Sequence, residues 1–345
     1  MSAIPRLVAT PVRISYAIII LMLLLVGWLH LATPLLSVLF SIFVLDKLHF
    51  TRSKLPAVVL FIIVVSGIMY ATGHFINGAV IALPKIADDT IPSVIAWAQA
   101  RGVELPFTDF DSLKALGVDT VKEQVHYLRN FANFARGATA QFVFLIIGMV
   151  VAVSLFINSQ LDLDRAKHSV KYNLYSLSCE EIRWRFAGFY ESFATVMGAQ
   201  LIISTINTAF TSIFVFATRL PHAPVVLGVT FLCGLLPVVG NLISNTIIVG
   251  IAFTISPRMA LAALIFLVVI HKLEYFLNSK IIGDRIRNPV WLTLLGLILG
   301  ERLMGIPGMI LAPVVLNFIK VEAAKVEVLQ ASLPTTPPYD DKGRA

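Results

Sequence analysis

The chain has 345 residues, of which 57% are hydrophobic and 14% charged, with a formal net charge of +7. Average soluble domains carry about 25% charged residues, so this composition, with a mean hydropathy of +0.85, excludes a soluble globular protein and describes a polytopic membrane protein. The basic excess lies beside the apolar runs, where lipid head groups attract it, and does not indicate nucleic acid; Cys179 and Cys233 are too few for a disulfide framework.

Residues 1–13 contain Arg6 and Arg13 and no acid, which predicts a cytoplasmic N-terminus. The apolar run Ile14–Leu31 is longer than the 7–15 residues of a signal-peptide core, so it reads as a retained first span. Thr33-Pro34 then turns the chain into the shorter run Leu35–Leu45. The following loop, Asp46–Lys54, holds Lys47, Arg52 and Lys54 against Asp46 and reads as cytoplasmic. Leu55–Leu83 is a long span that completes the N-terminal membrane helices of 14–83, with His74 and Asn77 as interfacial or packing residues near its outer end. Residues 84–136 form an outward-facing segment, in which Val121, Val125, Leu128 and Ala132 recur at helical spacing and predict an amphipathic helix. A clean span over 137–158 returns the chain to the cytoplasm, and 159–190 is a polar, mixed-charge cytoplasmic segment.

The C-terminal membrane region, 191–320, opens with an apolar run to Thr218 that carries Gln200 and Asn207. These are seven residues apart and therefore share a helix face, serving either interhelical packing or a polar pathway. Pro224–Ser256 follows, 33 residues without a charge. As one helix it would extend about 50 Å, beyond a hydrocarbon core of about 30 Å. Its middle, Cys233 to Asn241, contains Gly234, Pro237 and Gly240, which interrupt a helix and permit a tight turn. The next span, Met259–Asn278, ends with Glu274 and Asn278 on one face at i, i+4. Pro289–Ile319 is broken in the same manner by Gly300, Gly305, Pro307 and Gly308, followed by Pro313, and its only charges are Glu301 and Arg302.

Two of about eight hydrophobic helical segments are thus Pro/Gly-broken, 224–256 and 289–319. Each is either a re-entrant hairpin or a kinked full span. Hairpins keep the basic loop Ser279–Asn288 in the cytoplasm and satisfy the positive-inside tendency. A pair of such breaks is the sequence pointer to a transporter's binding site, which makes Gln200, Asn207, Asn241, Asn245, Glu274, Asn278, Glu301 and Arg302 the candidate pathway residues. The tail 321–345 is basic enough to be cytoplasmic, and its Pro-rich end is expected to be disordered. Neither a Walker A motif, nor His-Glu-x-x-His, nor a Gly-x-Ser-x-Gly turn occurs in the sequence. His271 and Glu274 lack a third ligand, so no metal, no cofactor and no enzyme activity is expected.

At the broken segments the sequence resembles the autoinducer-2 exporter family, also called the PerM-like permeases. Gly234-Leu-Leu-Pro-Val-Val-Gly-Asn-Leu-Ile243 is similar to that family's Pro/Gly break. Glu274 to Gly283 with Asn288-Pro289 is similar to the stretch before its last apolar region, and Gly305 to Pro313 to its terminal Gly-x-x-Gly…Pro signature. Gly198-Ala-Gln200 is similar to a Gly-Gln pair, with Ala199 intervening; Asn241 stands where the family often has a second proline, and a proline usual near Asn278 is missing. The resemblance covers about Ile14 to Val321. It implies a homo-oligomer, with a pentamer as the candidate stoichiometry, in a bacterial inner membrane with both termini cytoplasmic. It also implies export of a small polar solute such as autoinducer-2, or exchange of H+ or Na+. An oligomeric channel or lipid-binding scaffold without coupled transport is the alternative.

Overall fold

The computed structural model describes residues 10–102, 131–158, 173–236, 239–282 and 289–325. The first nine residues, the expected amphipathic helix before Phe131, the stretch 159–172, Pro237 and Val238, residues 283–288 and the tail from 326 lie outside the described residues.

The described residues form helices and no strands. In chain order these are α1 (Thr10–Trp28), α2 (Ala32–Leu48), α3 (Leu55–Gln99), α4 (Phe131–Asn158) and α5 (Leu174–Thr218). They are followed by α6 (Ala223–Gly234), α7 (Val239–Ile255), α8 (Pro257–Ile282), α9 (Val290–Met304) and α10 (Ile306–Ala323). Thr10–Trp28, Leu55–Ala79, Ala140–Asn158, Leu174–Thr218 and Ile306–Ala323 are long and apolar enough to cross a membrane. The chain is an all-helical polytopic membrane protein.

Three boundaries differ from the sequence reading. The turn between α1 and α2 lies at His30, in the left-handed region at φ 53°, and Pro34 sits in the first turn of α2. There the first four backbone N–H groups have no intrahelical partner, so the missing donor of proline costs little. Secondly, α3 does not end before Pro84 but continues to Gln99, a helix of 45 residues. Packing overrides the proline signal, since Ala79, Ala82 and Ile86 are buried in one core and Ile95 and Ala98 are buried further on. Thirdly, the polar residues from Leu174 and the apolar residues to Thr218 form one uninterrupted helix, again of 45 residues and about 67 Å long. Asn173 caps it, its side-chain oxygen accepting the Ser176 N–H at 2.8 Å. Arg219 at φ 54° ends it, with the Leu220 N–H returning to the Val215 carbonyl at 3.0 Å.

Both broken segments are helix pairs that fold back on themselves. In the second, Gly296 of α9 faces Ala312 and Leu316 of α10, and Gly300 faces Gly308, which is the pairing of an antiparallel hairpin. A Cβ on Gly300 would run into the Gly308 carbonyl, and one on Gly308 into the Gly300 carbonyl, so only glycines permit this approach. Gly305 forms the turn at φ 65° and ψ −150°, a conformation that is open only to glycine. The first hairpin packs α6 on α7 through Val226, Val229, Ile248 and Ile251.

Two cores result. One gathers α3, α6, α7 and α8 around Val215 at the C-terminal end of α5. The other gathers α1, α2 and α10 around Phe189, Phe193 and Met197 nearer its N-terminal end. Helix α5 is therefore the shared axis, with one hairpin at each of two levels along it.

Candidate functional site

On α5, Gln200, Ser204 and Asn207 are spaced by four and three residues, which places them on one stripe. This stripe faces the turn of the first hairpin. Gln200 Nε2 donates to the Gly234 carbonyl at 2.5 Å, and Ser204 Oγ donates to the Phe231 carbonyl at 2.7 Å. Both carbonyls belong to the last turn of α6, where backbone acceptors lack helical partners. Gly234 is required at this contact, because a Cβ there would meet the Ser204 hydroxyl.

Just past the turn, Asn241 and Asn245 present their amides from one face of α7 toward His271 and Glu274 of α8. Asn241 Nδ2 lies 3.0 Å from Glu274 Oε1 and 2.9 Å from Oε2. Asn207 Nδ2 donates to Glu274 Oε2 from the α5 side at 3.2 Å. The Glu274 side chain is 15% exposed. Its carboxylate is thus held by amide donors from two other helices, which offsets part of its desolvation cost. Asn245 Nδ2 and His271 Nε2 are 3.2 Å apart, and His271 Nδ1 lies 3.8 Å from Glu274 Oε2. Asn207 is buried, and its Oδ1 has no hydrogen-bond partner among the described residues. The result is a polar group of two backbone carbonyls, a hydroxyl, four amides, a carboxylate and an imidazole. It can exchange hydrogen bonds with a small polar molecule or hold a cation at the carboxylate. Among the described residues no three His, Cys, Asp or Glu side chains are grouped as metal ligands.

Five of the residues singled out in the sequence, Gln200, Asn207, Asn241, Asn245 and Glu274, are therefore brought together. Asn278 lies one turn beyond Glu274 on α8, and its side chain is outside the described residues. Glu301 and Arg302 are exposed at the end of α9. Their hairpin packs on α1, α2 and α5, and no hydrogen bond or ion pair joins them to the Glu274 group among the described residues. Of the turn residues, Gly234, Gly240, Gly300 and Gly308 are buried, Pro307 lies in the first turn of α10 and Pro313 inside it.

Sequence reasoning missed Ser204, although its register between Gln200 and Asn207 marks it. A second polar group was also missed. Glu322 of α10 is almost wholly buried and accepts from Arg185 Nη1 at 2.5 Å, Lys325 Nζ at 2.7 Å and Tyr16 OH at 3.0 Å. Arg185 also reaches Glu181 at 3.3 Å and lies over the Tyr16 ring at 4.3 Å. This group ties α1, α5 and α10 together.

A family profile described as AI-2E family transporter matches residues 31–326. A Bacillus subtilis (strain 168) protein named "Putative transport protein YdbI" is 32% identical over 145 residues. That match spans 41% of this chain and 41% of the Bacillus protein, less than half of either.

Proposed function

This chain belongs to the AI-2E transporter family, and from that membership we propose that it is a secondary transporter exporting a small polar solute of the autoinducer-2 kind. Membrane transport itself follows from the family. The further reading is that Gln200, Asn207, Asn241, Asn245, Glu274 and Asn278 line the solute and ion pathway. It also holds that an H+ or Na+ gradient drives export, in an oligomer in the inner membrane with both termini cytoplasmic. Glu301 and Arg302, the other two pathway candidates, are exposed at the end of α9 in the second hairpin.

The observation that carries the reading is the Glu274 carboxylate, held by Asn207 and Asn241 beside the turn of the first hairpin. An ionisable group inside a helix layer is costly and marks ion and substrate pathways. Amides that reach it from two other helices allow a hydroxylated solute to replace those hydrogen bonds on binding. Irregular backbone at membrane depth persists where it is buried in protein or lines a water-filled pathway. The legs of the first hairpin, 12 and 17 residues, extend about 18 and 26 Å, short of a core of about 30 Å. This supports membrane re-entry.

The test is flux of a small polyhydroxylated solute in proteoliposomes under an imposed pH or sodium gradient. Glu274→Gln preserves the shape and removes the charge. It is expected to cut gradient-driven flux by about tenfold or more, the scale of one charged hydrogen bond. Flux that ignores both the gradient and the substitution would instead favour a channel or a lipid-binding scaffold.

A further inference from the structure

A cavity of about 310 Å³ lies between the C-terminal turn of α2 and the middle of α5. Its position can be read from two helices independently. On α2 the apolar run ends at Asp46 and Lys47. On α5 the charged stretch ends at Glu191 and the apolar stretch begins. These two transitions meet in space, since the Tyr190 hydroxyl donates to Asp46 Oδ2 at 2.5 Å. The cavity therefore stands where both helices pass from hydrocarbon to water, which is the level of lipid head groups.

Its walls divide in the same way. Phe43 and Ala194 form the apolar side, and Asp46, Lys47 and Glu191 the polar side. Tyr190 occupies one oxygen of Asp46, but among the described residues the Glu191 carboxylate and the Lys47 ammonium make no hydrogen bond or ion pair. The Lys47 ammonium instead lies 5.8 Å from the Phe43 ring centroid. Two carboxylates against one ammonium leave the pocket net negative. The C-terminal end of α2 adds the partial negative charge of its free carbonyls.

We propose that this cavity is a lipid head-group site that takes phosphatidylethanolamine. The primary ammonium of the lipid sits between Asp46 and Glu191 and donates hydrogen bonds to both. Lys47 meets the phosphodiester, and Phe43 and Ala194 meet the glycerol and the first acyl carbons. A choline head group has no N–H to donate, and a glycerol head group adds negative charge to a negative pocket, so both are disfavoured. The Phe43 ring lies against Gly198, two residues from Gln200, so the occupied pocket touches the same stretch of α5 that carries the Gln200 stripe.

The test is native mass spectrometry of the purified full-length protein, equilibrated with equimolar phosphatidylethanolamine, phosphatidylcholine and phosphatidylglycerol of matched chains. Phosphatidylethanolamine is expected to be retained about tenfold over phosphatidylcholine, the worth of a charge-assisted hydrogen bond. Asp46→Asn and Glu191→Gln should each bring that ratio toward one. Asp46→Asn also disturbs the Tyr190 contact, whereas the Glu191 carboxylate has no described partner, so Glu191→Gln reports the preference with folding intact. Equal retention of the three lipids, preference for phosphatidylglycerol, or an unchanged ratio in Glu191→Gln would each overturn the proposal. So would soluble phosphoethanolamine displacing the lipid at equal concentration, because the occupant would then be a free zwitterion.

Discussion

Gly308→Val is expected to abolish the folded protein, and Gly300→Ala to lower its thermal midpoint in detergent steeply. An ordinary helical glycine gains about 0.5–1 kcal/mol on change to alanine. Here the sign reverses, because each added carbon points at the backbone carbonyl of the opposite leg. Backbone cannot rotate away as a side chain can. The hairpin must splay, and the cost rises to about 3 kcal/mol or more. Gly27 and Gly67 have open space around them and provide the comparison. Alanine at either should leave the midpoint unchanged or raised. Equal effects at Gly300 and Gly67 would show that α9 and α10 do not approach as described.

The second large effect is expected at the Glu322 group. Arg185→Met leaves a buried carboxylate without its arginine and should cost about 3–5 kcal/mol, the range for breaking one half of a buried ion pair. Replacing both members, Arg185→Met with Glu322→Leu, removes the unpaired charge and should recover most of that loss. Lys325, with its side chain 54% exposed, should matter far less, under about 1 kcal/mol. Chemical or thermal unfolding of the single and paired variants in one detergent measures the coupling directly. Additive losses would mean that Arg185 and Glu322 do not act as a pair.

Much of this architecture is legible in the sequence, because its largest signals are local. Uncharged runs give the helices, and Gly234, Pro237, Gly305 and Pro307 mark where two of them turn back. Helical register alone puts Gln200 and Asn207 on one face, and the structure adds that this face meets Asn241 and Glu274. What stayed hidden is of three kinds. Pro84 looked like a boundary because proline removes one helical hydrogen bond, but the burial of Ala79, Ala82 and Ile86 outweighs that loss. Glu301 and Arg302 share a hairpin tip, yet a sequence does not say which way a tip faces, and both are exposed. The Arg185–Glu322 pair joins residues 137 positions apart, and no local pattern signals a contact of that range.

The length of α5 has an electrical consequence. If the Tyr190–Asp46 contact marks the edge of the hydrocarbon, Gln200 stands ten residues deeper, about 15 Å along the helix and half-way through a core of about 30 Å. Asn207, which reaches Glu274, stands about 25 Å deep on the same measure. A charge moving from the edge to the level of Gln200 then crosses about half the membrane voltage, worth about 1 kcal/mol for every 100 mV. A cation drawn to Glu274 from that side would gain or lose more than this according to the sign of the voltage. On the proposed ion pathway, occupancy of the carboxylate would therefore follow the membrane potential as well as the concentration of the ion, and a cell could alter the state of the site by polarising its membrane.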